Sequence, residues 1–384
     1  MTEENKALTT TPTNAIALRG DFDPDYTRST NENILDTLST EYFRSRFIGF
    51  DEGQERVEPN RALIYASNHS GMAFPWDAII FSSQILAQLN YELERMPRAL
   101  ALKELSRIRL MCPYLIDNFW KRCGAVDATT ENFETMMATG DSDVLIYPEG
   151  APGMSKGFNN RYKLQRFSSS FIRMAVTHQT DIIPISTVNA EFINPWTYTS
   201  EKVNQAMRKV GIPFLPLGLI LIPLLLQPWM FYFAFPAKLT FVVGRRIKPY
   251  ELSNKPVDEM SIEDFRAIAE QVRQSMQQDL HDAVEKYGQK PFELGEFLKK
   301  IIRKPSLLFT VSPFFWPIIF SEHDRLYKEK SPGDTLELRG SVSRLVRGLL
   351  RNPFCIFFFI PVLGWIPIAL RGFQKIRPKD SKSS

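Results

Sequence analysis

The chain has 384 residues and a net charge of +4, from 47 Lys and Arg against 43 Asp and Glu. Its 44% of hydrophobic residues excludes an intrinsically disordered chain, its mean hydropathy of −0.20 argues against a polytopic transporter, and its near-neutral charge argues against a nucleic-acid partner. The three cysteines exclude a disulfide framework, and no metal-ligand spacing occurs, so we expect no metal.

The elements predicted along the chain alternate between strands and helices. Residues 1–30 lack a signal peptide, so we expect a cytoplasmic, disordered N-terminal segment. Helices are predicted at 34–43, 76–89, 162–177 and 261–287, and strands at 61–67, 99–102, 143–147, 181–186 and 238–243. This order predicts an α/β fold with a central, mostly parallel sheet flanked by helices.

Three uncharged runs interrupt the pattern, at 210–237, 305–321 and 352–370. The first and the third are long enough to cross a bilayer, which takes roughly 20 apolar residues. Both runs contain several prolines, which break straight helices and leave backbone groups that lipid does not satisfy. We therefore predict Pro-broken interfacial or re-entrant segments, with core elements of a soluble protein and true spans as the alternatives.

Positive charge is concentrated at the C-terminal end of the chain. Residues 291–384 contain 16 Lys and Arg and 8 Asp and Glu, a net charge of +8. Basic residues beside apolar surface favour an anionic membrane, although a solvated charged face is the alternative. We predict four units: the disordered segment 1–30, a domain at 31–250 with an apolar insertion at 210–237, a helical extension at 251–290, and a basic, apolar, membrane-associating region at 291–384.

One candidate site follows the first predicted buried strand. Asn68, His69, Ser70 and Gly71 lie at its carboxyl end, where ligands bind in open α/β sheets. Asp77 lies at the start of the next helix, and a carboxylate there can fix the tautomer of the imidazole and raise its basicity. A helix-capping aspartate beside a surface histidine is the alternative.

Two further candidate groups follow the strand at 143–147. Glu149 and Gly150 come directly after it, and a glutamate at this edge can accept hydrogen bonds from a hydroxylated ligand. An ordinary turn after Pro148 is the alternative. Four basic residues suited to phosphate binding come next, although a solvated face is again the alternative; they are Lys156, Arg161, Lys163 and Arg166.

The motifs, in this order, resemble the glycerolipid (lysophospholipid) acyltransferase superfamily, which is PlsC-like, and most of all its bacterial monoacylglycerol-acyltransferase-like branch. The resemblance is carried by Asn68-His69 with Asp77, by Tyr147-Pro-Glu-Gly150 and by 182–185, and it covers about 51–247. It implies a glycerol-3-phosphate acyltransferase-like fold and a membrane-associated role in phospholipid biosynthesis and lipid metabolism.

The resemblance implies acyl transfer from acyl-CoA or acyl carrier protein, as a co-substrate, to a hydroxyl of a lipid acceptor. His69 would be the general base, oriented by Asp77, with no covalent intermediate, metal or cofactor. Asn68, Ser70, Gly71, Glu149 and Gly150 would bind the substrate, and the basic cluster would hold phosphates. Lysophosphatidate, other lysophospholipids, monoacylglycerol, diacylglycerol and long-chain alcohols remain open as acceptors, as do donor chain length and oligomeric state.

The sequence departs from the family pattern at three places. The arginine that often binds an acceptor phosphate ahead of the glutamate motif is missing, and Asp127-Ala128-Thr129 stand where we would expect it. Seven residues separate His69 from Asp77, more than the family motif has, and Ala151-Pro152-Gly153 replaces the Thr-Arg-Ser that usually follows the glutamate and glycine. Two alternative functions also remain. Gly153-Met-Ser155-Lys-Gly157 matches the G-x-S-x-G motif of a serine lipase or esterase, without the strand and helix that it needs. A non-catalytic lipid-binding membrane protein is the third class.

Overall fold

A mixed seven-stranded sheet forms the centre of the molecule in the computed structural model, which describes residues 18, 21–50, 55–56, 58–69, 73–92, 95–210, 212–331, 333–338 and 341–376. The strands are β1 (Arg46–Ile48), β2 (Ile64–Ser67), β3 (Pro97–Ala101), β4 (Val126–Asp127), β5 (Asp143–Ile146), β6 (Ile182–Val188) and β9 (Thr240–Val243). Their order is β1-β9-β6-β2-β5-β3-β4. Every neighbouring pair is parallel except β6 and β9, which confirms the predicted mostly parallel sheet.

Helices cover both faces of this sheet. In the first part of the chain they are α1 (Pro24–Thr30), α2 (Trp76–Gln88), α3 (Phe119–Arg122), α4 (Thr130–Thr139), α5 (Ala151–Met154), α6 (Ser170–Thr177), α7 (Glu201–Arg208) and α8 (Leu221–Leu226). They continue with α9 (Ile262–Tyr287), α10 (Leu294–Arg303), α11 (Leu308–Val311), α12 (Trp316–Glu329), α13 (Val342–Arg351) and α14 (Trp365–Pro367). A small antiparallel pair, β7 (Thr197–Tyr198) and β8 (Leu217–Gly218), lies outside the main sheet.

The alternation of side chains along the central strands divides the core in two. Tyr65 and Leu145 lie in a cluster with α2 and with residues from the C-terminal region. Their neighbours Ile64 and Val144 lie in a second cluster with α4, α6 and α9. Successive residues of a strand point to opposite faces, so each central strand contributes to both cores. These strands are therefore continuous apolar runs, as expected for a sheet that is buried on both faces.

The long helix α9 packs on the sheet as part of this core. Ser261 and Asp264 form a capping box at its start. Its buried face contributes Phe265, Val272 and Leu280 to the second core cluster. The segment predicted as a helical extension is thus one wall of the α/β domain.

Two predicted local structures are wrong. The disorder predicted for 1–30 fails at α1, which buries Tyr26 against Tyr327; residues 1–17, 19 and 20 lie outside the described ones. The helix predicted at 162–177 begins only at Ser170. Three backbone N–H groups in the earlier part donate to distant side chains instead of to the preceding helical turn; they belong to Tyr162, Leu164 and Gln165.

The uncharged runs fold into short pieces that contact each other. The run 210–237 contains β8, α8 and a 3₁₀ turn at Pro228–Tyr232, and the run 352–370 contains a 3₁₀ turn at Pro353–Phe358 and α14. The indole N–H of Trp365 donates to the backbone oxygen of Leu225, 2.7 Å away. Within the described part of the chain, no helix combines the length and the apolar character needed to cross a membrane.

Candidate active site

The imidazole of His69 lies beside the carboxylate of Asp77. His69 follows β2 at the carboxyl end of the sheet, and Asp77 lies in the first turn of α2. Nδ1 of His69 is 3.3 Å from Oδ2 of Asp77, and the side chain of Asp77 is completely buried. The longer loop between the two residues therefore does not prevent their contact. With Nδ1 directed at a carboxylate, Nε2 is the nitrogen available to accept a substrate proton.

The aromatic ring of Tyr147 stacks on one face of the His69 imidazole. The two ring centroids are 4.0 Å apart, with planes inclined by 29°. Burial, and then the charge of Asp77, raise the pKa of Tyr147, which keeps its hydroxyl protonated. The sequence marked Tyr147 as part of the Tyr147-Pro-Glu-Gly150 motif after a strand but gave it no role at the site.

Glu149 binds two backbone amides of the protein. One oxygen accepts from the N–H of His69 at 2.9 Å, and the other accepts from the N–H of Gln165 at 2.6 Å. Its side chain has no accessible surface. Burial raises the pKa of Glu149, while Lys156 and the amide hydrogen bonds act in the opposite direction. Glu149 thus holds the backbone around the site and also lines the cavity that contains His69, and its role in substrate binding stays a prediction.

Gly150 and Gly153 allow a backbone turn and a close packing contact next to the site. Gly150 has a φ of +60°, in the region that favours glycine, and this turn starts α5. A Cβ built on Gly153 would lie 2.6 Å from Cβ of Glu149 and 3.1 Å from Cβ of His69. The missing side chain of Gly153 therefore lets α5 pack directly against the site. In the sequence this glycine appeared in the G-x-S-x-G match and in the departure Ala151-Pro152-Gly153, neither of which indicated close packing.

Two more residues that we predicted to bind ligands, Asn68 and Lys156, have side chains that point into the protein interior. Both polar atoms of the Asn68 amide are bonded to the backbone of Thr187. The ammonium of Lys156 has no accessible surface and lies between Glu149 and Glu191. Both side chains are buried and face protein groups, so the predictions that Asn68 binds the substrate and that Lys156 binds phosphate stay untested. Ser70 and Gly71 lie outside the described residues.

The remaining basic residues differ in their distance from the site. Arg161, Lys163 and Arg166 are all exposed, and of these Arg166 lines the cavity that contains His69. Arg266, which α9 contributes and which the sequence gave no reason to select, lines the same cavity. The structure thus brings together two arginines, 100 positions apart in the sequence, at the edge of one cavity.

This cavity has a volume of about 940 Å³ and is mostly apolar. His69, Tyr147 and Gly150 line one part of it. Aromatic and aliphatic side chains from the sheet, from the uncharged runs and from the C-terminal region line the rest; Phe133, Phe171, Phe214, Trp229 and Ile368 are among them. An apolar cavity with few polar groups is typical of a site for a small apolar ligand.

The alternative nucleophile, Ser155, does not take part in this arrangement. The hydroxyl of Ser155 donates to the backbone oxygen of Ala151 at 3.0 Å, and Ser155 is not among the described residues that line the cavity. It follows a one-turn helix and precedes a 3₁₀ turn at Phe158–Asn160. The strand and helix that a nucleophile elbow requires are therefore missing around Ser155.

Comparison with known proteins agrees with this geometry. Residues 50–188, which include His69, Asp77, Tyr147 and Glu149, match the model of the family described as Acyltransferase. This domain belongs to the acyltransferase superfamily. The match agrees with the predicted superfamily over these residues and ends with β6, so α9 and the C-terminal region lie outside it.

Curated relatives extend beyond the acyltransferase domain. Proteins from Mycobacterium tuberculosis and Mycobacterium bovis, both described as uncharacterized, are each 25% identical over 269 residues, which are 68% of this chain and 67% of theirs. The crystal structure of the 1-acyl-sn-glycerophosphate acyltransferase PlsC from Thermotoga maritima is 13% identical. It covers 70% of this chain and 81% of that chain, with a TM-score of 0.35.

Proposed function

We propose that this acyltransferase moves a fatty acyl group from an acyl thioester, acyl-CoA or acyl carrier protein, to a hydroxyl of a glycerolipid or lysophospholipid. The observation that carries the proposal is the contact of His69 with the buried Asp77 at the wall of a large apolar cavity. The imidazole supplies a base, and the cavity supplies room for an acyl chain. Its volume lies near the upper end of the range of about 300–1,000 Å³ for small-molecule sites.

The reaction needs one proton acceptor and no protein nucleophile. Nε2 of His69 takes the proton of the acceptor hydroxyl while the hydroxyl oxygen attacks the thioester carbonyl carbon. The carbon–sulfur bond breaks, and the thiolate receives the proton from the imidazolium. Asp77 stabilises the imidazolium and fixes its orientation, and Tyr147 packs on the ring. General base catalysis of this kind contributes about 10²–10⁴-fold.

Arg166 and Arg266 are the residues that we propose for the phosphates of the donor or the acceptor. Both line the cavity that contains His69. Arg166 also follows Gln165, whose backbone N–H donates to the same carboxylate of Glu149 as the N–H of His69. A guanidinium recognises phosphate oxygens through paired hydrogen bonds. Arg161 and Lys163 would then contribute positive potential from a greater distance.

The lipid would arrive from a membrane that contacts the exposed apolar surface around the cavity. Leu219, Ile222 and Leu225 are exposed next to α8, and Trp365 from the other run packs against the backbone there. The cavity is lined by Leu224 on the same helix and by Trp365. A lipid chain would therefore pass from the membrane surface into the cavity between the two uncharged runs.

Helices α10 and α13 extend this apolar surface and add positive charge. Each exposes three apolar residues one helical turn apart; they are Leu294, Leu298 and Ile302 in α10, and Val342, Val346 and Leu350 in α13. Arg344, Arg347 and Arg351 are exposed on α13. Basic residues beside an apolar face suit an anionic surface such as the cytoplasmic leaflet, to which each contributes about 1 kcal/mol.

Acyl transfer is tested with labelled acyl-CoA, and with acyl carrier protein as the alternative donor, against a panel of lysophospholipids, monoacylglycerol, diacylglycerol and long-chain alcohols. We expect labelled product with the wild-type protein, a loss of about 10²–10⁴-fold for His69→Ala, and near-normal activity for Ser155→Ala. Loss of activity in Ser155→Ala with an active His69→Ala would establish a hydrolase instead. Lipid binding without turnover on any acceptor would establish a non-catalytic protein.

Membrane contact is tested by sedimentation with vesicles that contain an anionic phospholipid. We expect wild-type protein to bind, and the double variant Val346→Glu/Leu350→Glu to bind at least tenfold more weakly, because two charges would enter the membrane surface. Ile262→Glu is the matched control, since Ile262 is 62% exposed but lies on α9, outside the uncharged runs and the C-terminal region. Equal binding of wild type and the double variant would contradict the proposed surface.

A further inference from the structure

A buried group of three charged side chains lies behind the candidate active site. The ammonium of Lys156 is 3.6 Å from Oε1 of Glu191 and 3.9 Å from Oε2 of Glu149. None of the three side chains has accessible surface. Lys156 follows α5, Glu149 follows β5, and Glu191 lies in the 3₁₀ turn Ala190–Ile193 after β6. Segments that follow three different elements therefore bring one cation and two carboxylates together in the protein interior.

Lys156 acts there through its charge. Its ammonium has no hydrogen-bond partner among the described atoms, and its two carboxylate contacts are longer than hydrogen bonds. Buried charges are rare unless an opposite charge compensates them. The lysine thus compensates two carboxylates, while each carboxylate keeps its oxygens for other donors.

The carboxylate of Glu149 connects the loop that contains His69 with the segment that contains Arg166. Glu149 accepts from the N–H of His69 through one oxygen and from the N–H of Gln165 through the other. His69 belongs to the loop after β2, and Gln165 precedes Arg166, which lines the cavity. An ionised carboxylate accepts through both oxygens and can hold both amides, whereas a protonated carboxyl group has one oxygen that donates instead of accepting.

The other carboxylate holds the same basic segment at a second point. Oε1 of Glu191 accepts from the N–H of Tyr162 at 3.0 Å. Gln277 of α9 donates to the backbone oxygen of Tyr162 and accepts from the N–H of Leu164. The backbone of residues 162–165 is thus held by the side chains of Glu191, Gln277 and Glu149, and the two carboxylates among them face Lys156.

We propose that Lys156 is a positioning residue of the acyltransferase: by compensating Glu149 and Glu191, it keeps the backbone of His69 and the segment with Arg166 in a fixed relation. The inference rests on the proposed role of His69 as the base. Four charged or titratable groups interact with Glu149, and they are Lys156, His69, Glu191 across the lysine, and Arg273 of α9. Substitution of Lys156 acts on this set without touching substrate.

The kinetic test compares the pH profiles of kcat for Lys156→Met and Glu191→Gln in the full-length protein. Loss of the cation favours protonation of Glu149, so the acid limb of Lys156→Met is expected to move to higher pH, with about a tenfold loss of kcat at its acid end. Loss of the neighbouring anion has the opposite effect, so the acid limb of Glu191→Gln moves to lower pH. The double variant Lys156→Met/Glu191→Gln is expected to return toward wild type.

Opposite shifts distinguish positioning from a general loss of stability, which would move both variants in the same direction. Lys202→Met, at an exposed lysine of α7, is the control with an unchanged profile. If Lys156→Met does not fold, Glu191→Gln and the double variant still give the sign of the shift. Profiles identical to wild type, or shifts of equal sign, would overturn the proposal.

A second readout does not depend on turnover. Amide hydrogen exchange at His69 and Gln165 is expected to be at least tenfold faster in Lys156→Met at acid pH, because both amides lose their carboxylate acceptor. Unchanged exchange in a folded variant would reject the role of Lys156. If exchange changes as expected but His69→Ala remains active, the proposed function fails while the structural link from Lys156 to His69 stands.

Discussion

The α/β domain and the C-terminal region distribute charge and apolar surface in opposite ways. Around the site, the domain buries Asp77, Glu149, Lys156 and Glu191 completely. The region from 291 to 376 exposes apolar side chains: of the 30 large hydrophobic residues that are exposed in the described part of the chain, 18 lie between 294 and 373. Buried charge requires partners inside the protein, and exposed apolar surface requires a partner outside it.

This difference assigns separate tasks to the two parts. The buried charges of the domain fix backbone segments around His69. Most of the exposed apolar residues of the C-terminal region lie outside the cavity, whereas Trp365 and Ile368 from this region line it. Substitutions on the exposed face should therefore change surface binding without changing catalysis, except at residues that line the cavity.

The largest expected effect comes from a change confined to the domain. Asp77→Asn keeps the size of the side chain but removes the charge that faces Nδ1 of His69, 3.3 Å away. We expect kcat to fall by about 10²-fold or more, because the imidazolium formed during proton transfer loses its stabilising partner. Activity is measured with labelled donor, and vesicle sedimentation should equal wild type. A variant with normal kcat would remove Asp77 from the mechanism.

The next effect is expected where the two parts are joined. His323 of α12 hydrogen bonds to Ser29 of α1 at 2.9 Å, and burial lowers the pKa of His323 to about 4. The unfolded histidine gains its proton below its ordinary value of 6.5, whereas the folded one stays neutral. The stability that this group contributes is present above pH 6.5 and is lost as the pH falls toward 4.

The loss between these two pH values amounts to about 3 kcal/mol. It is measured by denaturant unfolding at several pH values, and His323→Gln should flatten the dependence because glutamine does not titrate while it can still accept from Ser29. His281→Gln, at an exposed position of α9, is expected to keep the wild-type slope. An equally steep dependence in His323→Gln would show that other groups cause it.

A smaller effect is expected from the close packing behind His69. Gly153→Ala places a methyl group 2.6 Å from Cβ of Glu149, so either α5 or Glu149 must move. Overpacking of this kind costs about 1–3 kcal/mol in the free energy of unfolding, and kcat should fall with the displaced histidine backbone. Gly295→Ala in α10 is the control, since no atom lies within 4 Å of the added methyl group. Unchanged stability and activity in Gly153→Ala would contradict the packing described.

The smallest effect compares two adjacent leucines of α13. Leu350 is 76% exposed, whereas Leu349 packs against the first core cluster. Leu350→Ala should change the free energy of unfolding by less than about 0.5 kcal/mol but weaken vesicle binding by up to about tenfold. Leu349→Ala should destabilise the fold by about 1–2 kcal/mol. The same effect of both substitutions on unfolding would show that Leu350 also belongs to the core.

The strands and the site motifs were predictable because their signals are local. The continuous apolar runs before Asn68 and before Tyr147 predicted buried strands, and the motif residues His69 and Asp77 follow from their order in the chain. The short edge strands β1 and β4 were missed, since two or three residues carry too little periodic signal. The helix predicted at 162–177 failed in its first half because distant side chains take its backbone donors.

Local sequence patterns were enough to predict the fold class, the resemblance to acyltransferases and the candidate pair His69 and Asp77, because strand periodicity and short ordered motifs are carried by neighbouring residues. Only the tertiary structure decided which charges face a ligand. Lys156 and Arg166 look alike in the sequence, yet one lies between two buried carboxylates and the other lines the cavity. Burial and pairing arise from elements far apart in the chain, so no local pattern distinguishes the two.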